Sequence, residues 1–373
     1  MRRRDFLDAG VAAMAAGLLP ARARAETSTL LQHSLQNLAT PTELFDRLII
    51  PTKMFFVRSH FGPPTLDPAR RLRIGGLVDR PLDLAPNDLR KFKEVTITAV
   101  LQCAGNGRAL HRPRVPGVQW IHGGMGQATF TGVRLADVLR GAGVSKDAAH
   151  VQLEGADLPP KPTVPAFIRS IPLARALDPT TLIAYRMNGE PLTLEHGAPL
   201  RLIVPGWAGD HWVKWLADIK LQREEADGFY MKTAYRMPKQ PVEPGASVAP
   251  ENMAPLTTFP VKSVIARPAS GARTKVGPQE IVGVAFSGDA AIARVEVSVD
   301  GGAHFAEAKL EGEPGIGRWQ VFRYSFTASK PGAYHAKARA TDAKGNTQPP
   351  VPAWNPSGYS WNGMHDVRWE VES

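Results

Sequence analysis

One cysteine stands where the chain is shaped for close approach. Val100-Leu101-Gln102-Cys103-Ala104-Gly105-Asn106-Gly107-Arg108 runs from a β-branched stretch into a turn of small residues and ends on an arginine. Glycine and asparagine tolerate the backbone geometry that lets a chain wrap a bulky group. A thiol in that position has two chemical uses, as a thiolate ligand to a metal or as a nucleophile, and a cationic neighbour favours the thiolate in either. The bland alternative is a small buried hydrophobe. A lone cysteine excludes an intramolecular disulfide, a Cys-rich zinc site and an iron–sulfur cluster, and the sequence holds no C-x-x-C-H for haem attachment.

Cations and histidines of chemical interest recur along the chain. Arg58-Ser59-His60 follows two phenylalanines, Glu195-His196-Gly197 leads into Arg201, and Lys214 sits in Trp212-Val213-Lys214-Trp215. Lys161, Arg169 and Arg175 read as solvated surface charges. The formal charge is +10, which suits an anionic substrate or acidic partner. No basic run with interleaved aromatics occurs, so nucleic acid is not indicated.

The order of these segments resembles the sulfite oxidase family of molybdopterin oxidoreductases. LQCAGNGR is similar to the family's cysteine segment, and Phe55-Phe56-Val57-Arg58-Ser59-His60 to its F-x-R-N-H strand. Gly132-Val133-Arg134-Leu135 resembles its G-x-x-L helix start. His196-Gly197-Ala198-Pro199-Leu200-Arg201 through Gly206 is close to its H-G-x-P-x-R-x-x-V-P-G, and Val213-Lys214-Trp215-Leu216 to its V-K-W-L. The likeness runs over about residues 42–371, nearly the whole chain.

The resemblance implies one Mo-molybdopterin per chain, with Cys103 as the protein's ligand to the metal; with no C-x-x-C-H in the sequence, no haem is expected on this chain. It implies cofactor contacts from Val57, Arg58, Ser59, His60, Asp157, His196, Arg201, Trp212, Val213 and Lys214. Arg58, Arg108, Tyr235 and Trp120 match the family's substrate-side residues, with Tyr230 a rival for the tyrosine. The reaction implied is oxidation of sulfite to sulfate, with electrons passing to a c-type cytochrome. The C-terminal part resembles the family's dimerisation domain, which implies a homodimer.

Two positions depart from the family pattern. Ser59 replaces the usual Asn, and Ser357, in Trp354-Asn355-Pro356-Ser357-Gly358, replaces an arginine that vertebrate-type members direct at the substrate anion. The second departure bears on the substrate and keeps open a sulfane dehydrogenase of a thiosulfate-oxidising system. Readings from other classes are a non-catalytic binding protein on the same fold and a thiol hydrolase, which needs a His–Cys pair.

The elements that must position these groups read as two folded parts. Arg73–Val78, Val95–Leu101, Leu182–Tyr185 and Leu200–Val204 predict strands, and Val133–Ala142 a short helix, together an α+β domain with a mixed sheet over residues 26–240. Prolines at 238, 241, 244, 250, 255 and 260 mark a linker, bounded at 241–260, that resists regular structure. Beyond it, Gln279–Ser287, Ala293–Val299, Ala306–Leu310, Trp319–Phe326, Ala333–Thr341 and Val367–Val371 alternate like strands. Asp300-Gly301-Gly302 and Lys344-Gly345-Asn346 supply turns. Residues 261–373 therefore predict an immunoglobulin-like β-sandwich.

The first 25 residues read as an address. Arg2-Arg3-Arg4-Asp5-Phe6-Leu7 is a twin-arginine pattern, followed by an apolar run from Ala9 to Leu19 and by Ala23-Arg24-Ala25, an A-x-A cleavage signal before Glu26. The run is shorter than the roughly 20 residues of a membrane span. The expectation is export to the periplasm in folded form, with no membrane span left after signal removal.

Overall fold

The computed structural model describes residues 29–373 apart from 35, 66 and 68, so the leader read in residues 1–25 lies outside the described residues. The chain is mostly strand. Among the described residues its α-helices are Leu135–Ala142 and the single turns Leu173–Ala176 and Phe229–Lys232.

Two five-stranded sheets build the first domain. In one, Glu94–Gln102 pairs antiparallel with Met125–Arg134, which pairs with Leu182–Met187, flanked by Glu190–Pro191 and Arg201–Ile203. The other runs Leu82–Leu84, Leu72–Gly76, Leu216–Gln222, His150–Gly155, Ile168–Pro172, and is mixed because Leu72–Gly76 and Leu216–Gln222 are parallel. A three-stranded ladder of Leu31–Ser34, Asn37–Ala39 and Val57–Arg58 carries the first arginine of the site. The predicted helix begins at Leu135, because Val133 and Arg134 finish the long strand before it. Leu135, Val138, Leu139 and Ala142 are its buried face.

The second domain is a sandwich of a four-stranded and a five-stranded sheet. Lys262–Arg267, Gly277–Phe286, Gln320–Ala328 and Lys309–Glu311 make the first. Arg273–Lys275, His365–Glu372, Gly332–Asp342, Ile292–Ser298 and Ala306–Glu307 make the second. Val367, Trp369 and Val371 are buried and alternate with exposed neighbours, as an antiparallel strand with one wet face requires. They meet Ile265, Ile281 and Phe322 from the facing sheet in one core. The single strand predicted at Ala306–Leu310 is in fact two, Ala306–Glu307 in one sheet and Lys309–Glu311 in the other.

The proline-rich stretch is more ordered than its composition suggests. Arg236–Pro238 and Met253–Pro255 form a two-stranded ladder, and Leu256 N–H donates to the Tyr235 carbonyl at 2.8 Å. Proline lacks a donor but still accepts, so a short edge ladder survives. The domains also share a core. Phe259, Val264, Phe286, Trp319 and Val321 pack in one apolar cluster with Phe45, Leu101 and Phe130. Gln127 accepts from Trp319 N–H at 2.7 Å across the seam.

Candidate active site

A cavity opens in the first domain where the strand Glu94–Gln102 delivers Cys103. Around the thiol, Phe56, Arg58, Ser59, His60, Asp157, His196, Arg201, Trp212, Val213, Lys214 and Tyr235 reach the same space. The cysteine is half-buried, so the bland reading of a sealed hydrophobe does not describe it. Its backbone is pinned on both sides: Cys103 N–H donates to Gly124 O at 2.8 Å, and its carbonyl accepts from Asn106 N–H at 2.9 Å.

Two cations in this cavity form no ion pair among the described residues, although the carboxylates of Asp157 and Glu195 act on Lys214 from farther off. Arg201 is buried, donates to the His196 carbonyl at 3.1 Å, and leaves its Nε without a partner. Lys214 Nζ donates to the Glu195 carbonyl at 2.9 Å and lies 4.1 Å from the centre of the Trp215 ring. Among the described residues no carboxylate forms an ion pair with either. Burial pulls Arg201 down to about 9, and burial together with the Arg201 guanidinium pulls Lys214 down to about 7. An unpaired buried cation is costly unless an anion comes to meet it. Gly197 brings these groups together. It has φ of +103°, and a Cβ there would come within 3.0 Å of the Lys214 side chain.

The other chemical feature is a chain of hydrogen bonds. The Arg58 guanidinium donates to the Ser59 carbonyl and to His60 Nδ1, the latter at 3.1 Å. His60 Nε2 lies 2.8 Å from the Tyr235 hydroxyl. Burial and the nearby Arg58 and Lys214 hold His60 down at about 3, so the ring is neutral. With Nδ1 accepting from Arg58, the proton sits on Nε2 and is donated to the phenol oxygen. The Tyr235 O–H is then free to donate to a ligand. Burial pushes that phenol well above its usual range, so it remains a donor. Phe167 and Tyr230 enclose the His60 ring, with centroids 4.9 and 4.7 Å away. Tyr230, the rival tyrosine, is part of this packing and is not a cavity wall.

His196 is also neutral, held at about 4 chiefly by burial, and its Nε2 lies 3.2 Å from the Thr52 carbonyl. A donor there leaves Nδ1 as an acceptor. Asp157 reaches the cavity, and burial raises its carboxyl to about 6. Ser59 Oγ accepts Gly62 N–H at 3.0 Å. Val57 holds the register of its strand against Leu38 and is not a cavity wall.

Two residues expected on the substrate side stand elsewhere. Trp120 is fully buried one layer back, edge-on to Phe56 at 6.3 Å and to His33 at 4.7 Å. Arg108 gives its guanidinium to backbone carbonyls, Ser357 at 3.1 Å and Val118 at 3.2 Å. Both follow the cysteine in sequence, but the turn after Cys103 carries them away from the cavity.

The reading of Arg169 and Arg175 as surface charges is overturned. Arg169 is wholly buried, 2.7 Å from Asp210, bonded to the Tyr230 carbonyl, with its guanidinium 5.3 Å over the Tyr235 ring. Its partner lies 41 positions along the chain, so no local pattern announces the pair. Arg175 packs over Trp207 and bonds Pro205 O. Lys161 is exposed as expected. Sequence reasoning also missed Asp210, Glu195 and Phe56 as cavity walls. Phe56 and Glu195 lay inside quoted motifs, so adjacency to His60 and His196 was the available signal.

The residues present fit the molybdopterin group. Unpaired cations with an orphaned guanidinium nitrogen await an anionic phosphate, and a half-buried thiol shares their cavity. Among the described residues no three His, Cys, Asp or Glu side chains converge as a metal site. A metal here therefore needs a carrier that supplies further ligands.

Comparison with known proteins agrees with this geometry. Residues 60–230 match the oxidoreductase molybdopterin-binding domain, and residues 254–372 the Mo-co oxidoreductase dimerisation domain. The chain is 37% identical to mouse mitochondrial sulfite oxidase over 90% of its own length and 64% of that protein's. It therefore spans just under two thirds of that relative. It is 33% identical to Arabidopsis thaliana sulfite oxidase, over 87% of this chain and 88% of that one. Among solved structures, the sulfane dehydrogenase SoxCD of Paracoccus pantotrophus superposes with a TM-score of 0.79 at 28% identity, covering 93% of this chain and 89% of that one. Motif order, fold and these relatives together place the chain in the sulfite oxidase family of molybdopterin oxidoreductases.

Proposed function

We propose that this protein is a molybdenum-dependent oxidoreductase that converts sulfite to sulfate and passes the electrons to a c-type cytochrome. The observation that carries the reading is a single cavity shared by the Cys103 thiol, the unpaired Arg201 and Lys214, and the Arg58–His60–Tyr235 chain. Arg201 and Lys214 would hold the phosphate of a molybdopterin, His196 and Asp157 its polar ring atoms, and Cys103 its metal. When bound, that group supplies two-electron oxidation coupled to oxygen-atom transfer.

The chain's own residues do the rest. Arg58 offers fixed positive charge to an oxyanion, and the Tyr235 hydroxyl, released by His60, donates to one of its oxygens. Phe56, Phe167 and Leu101 exclude water, which strengthens both interactions. The twin-arginine leader supports a periplasmic location, and the match to a dimerisation domain supports a homodimer.

Metal analysis of the purified protein, coupled to sulfite-dependent reduction of cytochrome c, tests the proposal. The expected result is about one molybdenum per chain with sulfite turnover, the turnover being lost in Cys103→Ser. A molybdenum-free protein with intact fold would remove the reading.

A second reading has its own support. Arg108 is engaged by carbonyls and Ser357 brings no charge, so Arg58 is the arginine offered to a substrate anion. A weakly anionic protein-bound sulfane suits that arrangement, and the likeness to a sulfane dehydrogenase agrees. Molybdenum with no turnover of free sulfite, but turnover of a sulfane-loaded protein thiol, would establish it over the first.

A further inference from the structure

Tyr235 does not stand alone. The ring of Tyr359, from the closing segment of the second domain, lies parallel to it at 5.4 Å between centroids and 8° between planes. Arg169 is 5.3 Å over the Tyr235 ring, and Arg108 is 5.2 Å over the Tyr359 ring. Two phenols thus stack on each other, each with a guanidinium against it. Cations against aromatic faces are attractive and gain when dry.

Each member of the stack is fixed by independent contacts. Arg108 lies in a narrow slot, where a Cβ at Gly105 or Gly117 would come within 2.7 or 2.6 Å of its guanidinium. It also bonds Ser357 O, two residues before Tyr359. Asn355 clamps Tyr359 through both backbone groups, at 2.9 and 3.0 Å. Ser360 N–H donates to Ala104 O at 2.9 Å, next to the metal-ligand candidate. Tyr235 and Ser360 both adopt positive φ, 56° and 55°, which costs a non-glycine residue on the order of 1 kcal/mol or more. Such conformations persist only where the surroundings enforce them.

We infer that Tyr359 is a positioning residue of the reaction: the second domain holds the Tyr235 phenol in place through this stack, and Arg108 serves the stack as its clamp rather than as a substrate ligand. The inference rests on the proposed role of Tyr235 at the reacting anion. It gives the sandwich domain a direct part in the site of the first domain. Neither Tyr359 nor the stack is visible in sequence, since 124 positions separate the two rings.

The test uses the full, cofactor-loaded protein with Tyr359→Phe and Tyr359→Leu. Phe keeps a planar ring, while Leu removes it. For Leu, kcat falls about 10²-fold with KM little changed, whereas Phe stays within roughly threefold of the parent, as expected for misplacement of a donor. The near-UV circular dichroism of the immobilised Tyr235 phenol, read also on metal-free protein, is lost in Leu and kept in Phe. Spectrophotometric titration shows one phenol in the Leu protein moving down toward the ordinary tyrosine range as water reaches Tyr235. A folded Leu variant with parental kcat and parental Tyr235 titration overturns the inference. So does a Phe variant as impaired as Leu. If the Leu protein does not accumulate, Tyr359→Trp joins Phe, and failure of both planar variants in kcat overturns it equally. A parent protein inactive on every sulfur substrate would defeat the functional reading instead, while the dichroism and titration would still decide whether Tyr359 places Tyr235.

Discussion

Arg201 and Arg169 are both buried guanidiniums near the same cavity, and they live under opposite electrostatic conditions. Arg169 has Asp210 at 2.7 Å and the Tyr230 carbonyl besides. Both leave Nε without a partner, but Arg201 has one carbonyl and no ion-paired carboxylate among the described residues. The first charge is neutralised inside the fold and belongs to the wall behind Tyr235. The second is left for something the polypeptide does not contain. A buried cation with no internal partner marks a ligand's position more surely than a paired one, because the fold gains nothing from it alone.

Stability measurements can break this contrast. The largest effect is expected for Arg169→Met, which strands Asp210 as an uncompensated buried carboxylate and costs about 3–5 kcal/mol. Denaturant unfolding should show that loss with and without cofactor. A loss confined to the loaded protein would contradict the assignment. Tyr235→Phe keeps the ring stack and removes the donor, so kcat should drop about 10²-fold with stability nearly unchanged. Stopped-flow reduction by sulfite measures it, and an unaltered rate would take Tyr235 out of the reaction.

Arg201→Met should behave as the mirror of Arg169→Met. Metal-free protein should be no less stable, because an isolated buried charge has been removed, while cofactor retention falls roughly 10- to 100-fold, as for groups supporting a bound metal. Parental cofactor content after dialysis would argue against a phosphate at Arg201.

The smallest effect is one of pH. Lys214 sits at about 7 in the folded, cofactor-free chain, below its ordinary 10.5. Between those values the unfolded chain binds more protons than the folded one, so Lys214's contribution makes stability rise with pH across that window. Anion binding runs the other way, because it needs the charged ammonium. Affinity for a simple phosphate monoester should weaken from pH 7 to 9, by at most roughly tenfold per unit. Calorimetric titration checks the slope, and Lys214→Met should flatten it.

Much of this site was legible in the chain. Cys103, Arg58, His60, His196, Arg201, Lys214 and Tyr235 were chosen from residue type and motif order, and the fold brings all seven to one cavity. Local patterns also marked the long strand to Gln102 and the alternating strands of the sandwich, because period-two burial is a property of neighbouring residues. The expected places of Trp120, Arg108 and Arg169 depended on direction. The family resemblance put the first two on the substrate side, but the turn at Gly105–Gly107 sends them into the wall.

Composition and order alone determined which groups carry charge, which thiol is available and which segments alternate. Tertiary structure decided which charges cancel. Arg169 meets Asp210, Arg201 meets none, and Tyr359 crosses from the far end of the chain to lie on Tyr235. Electrostatic pairing and ring stacking act over a few ångströms of space regardless of distance along the chain, so only the folded backbone could settle them.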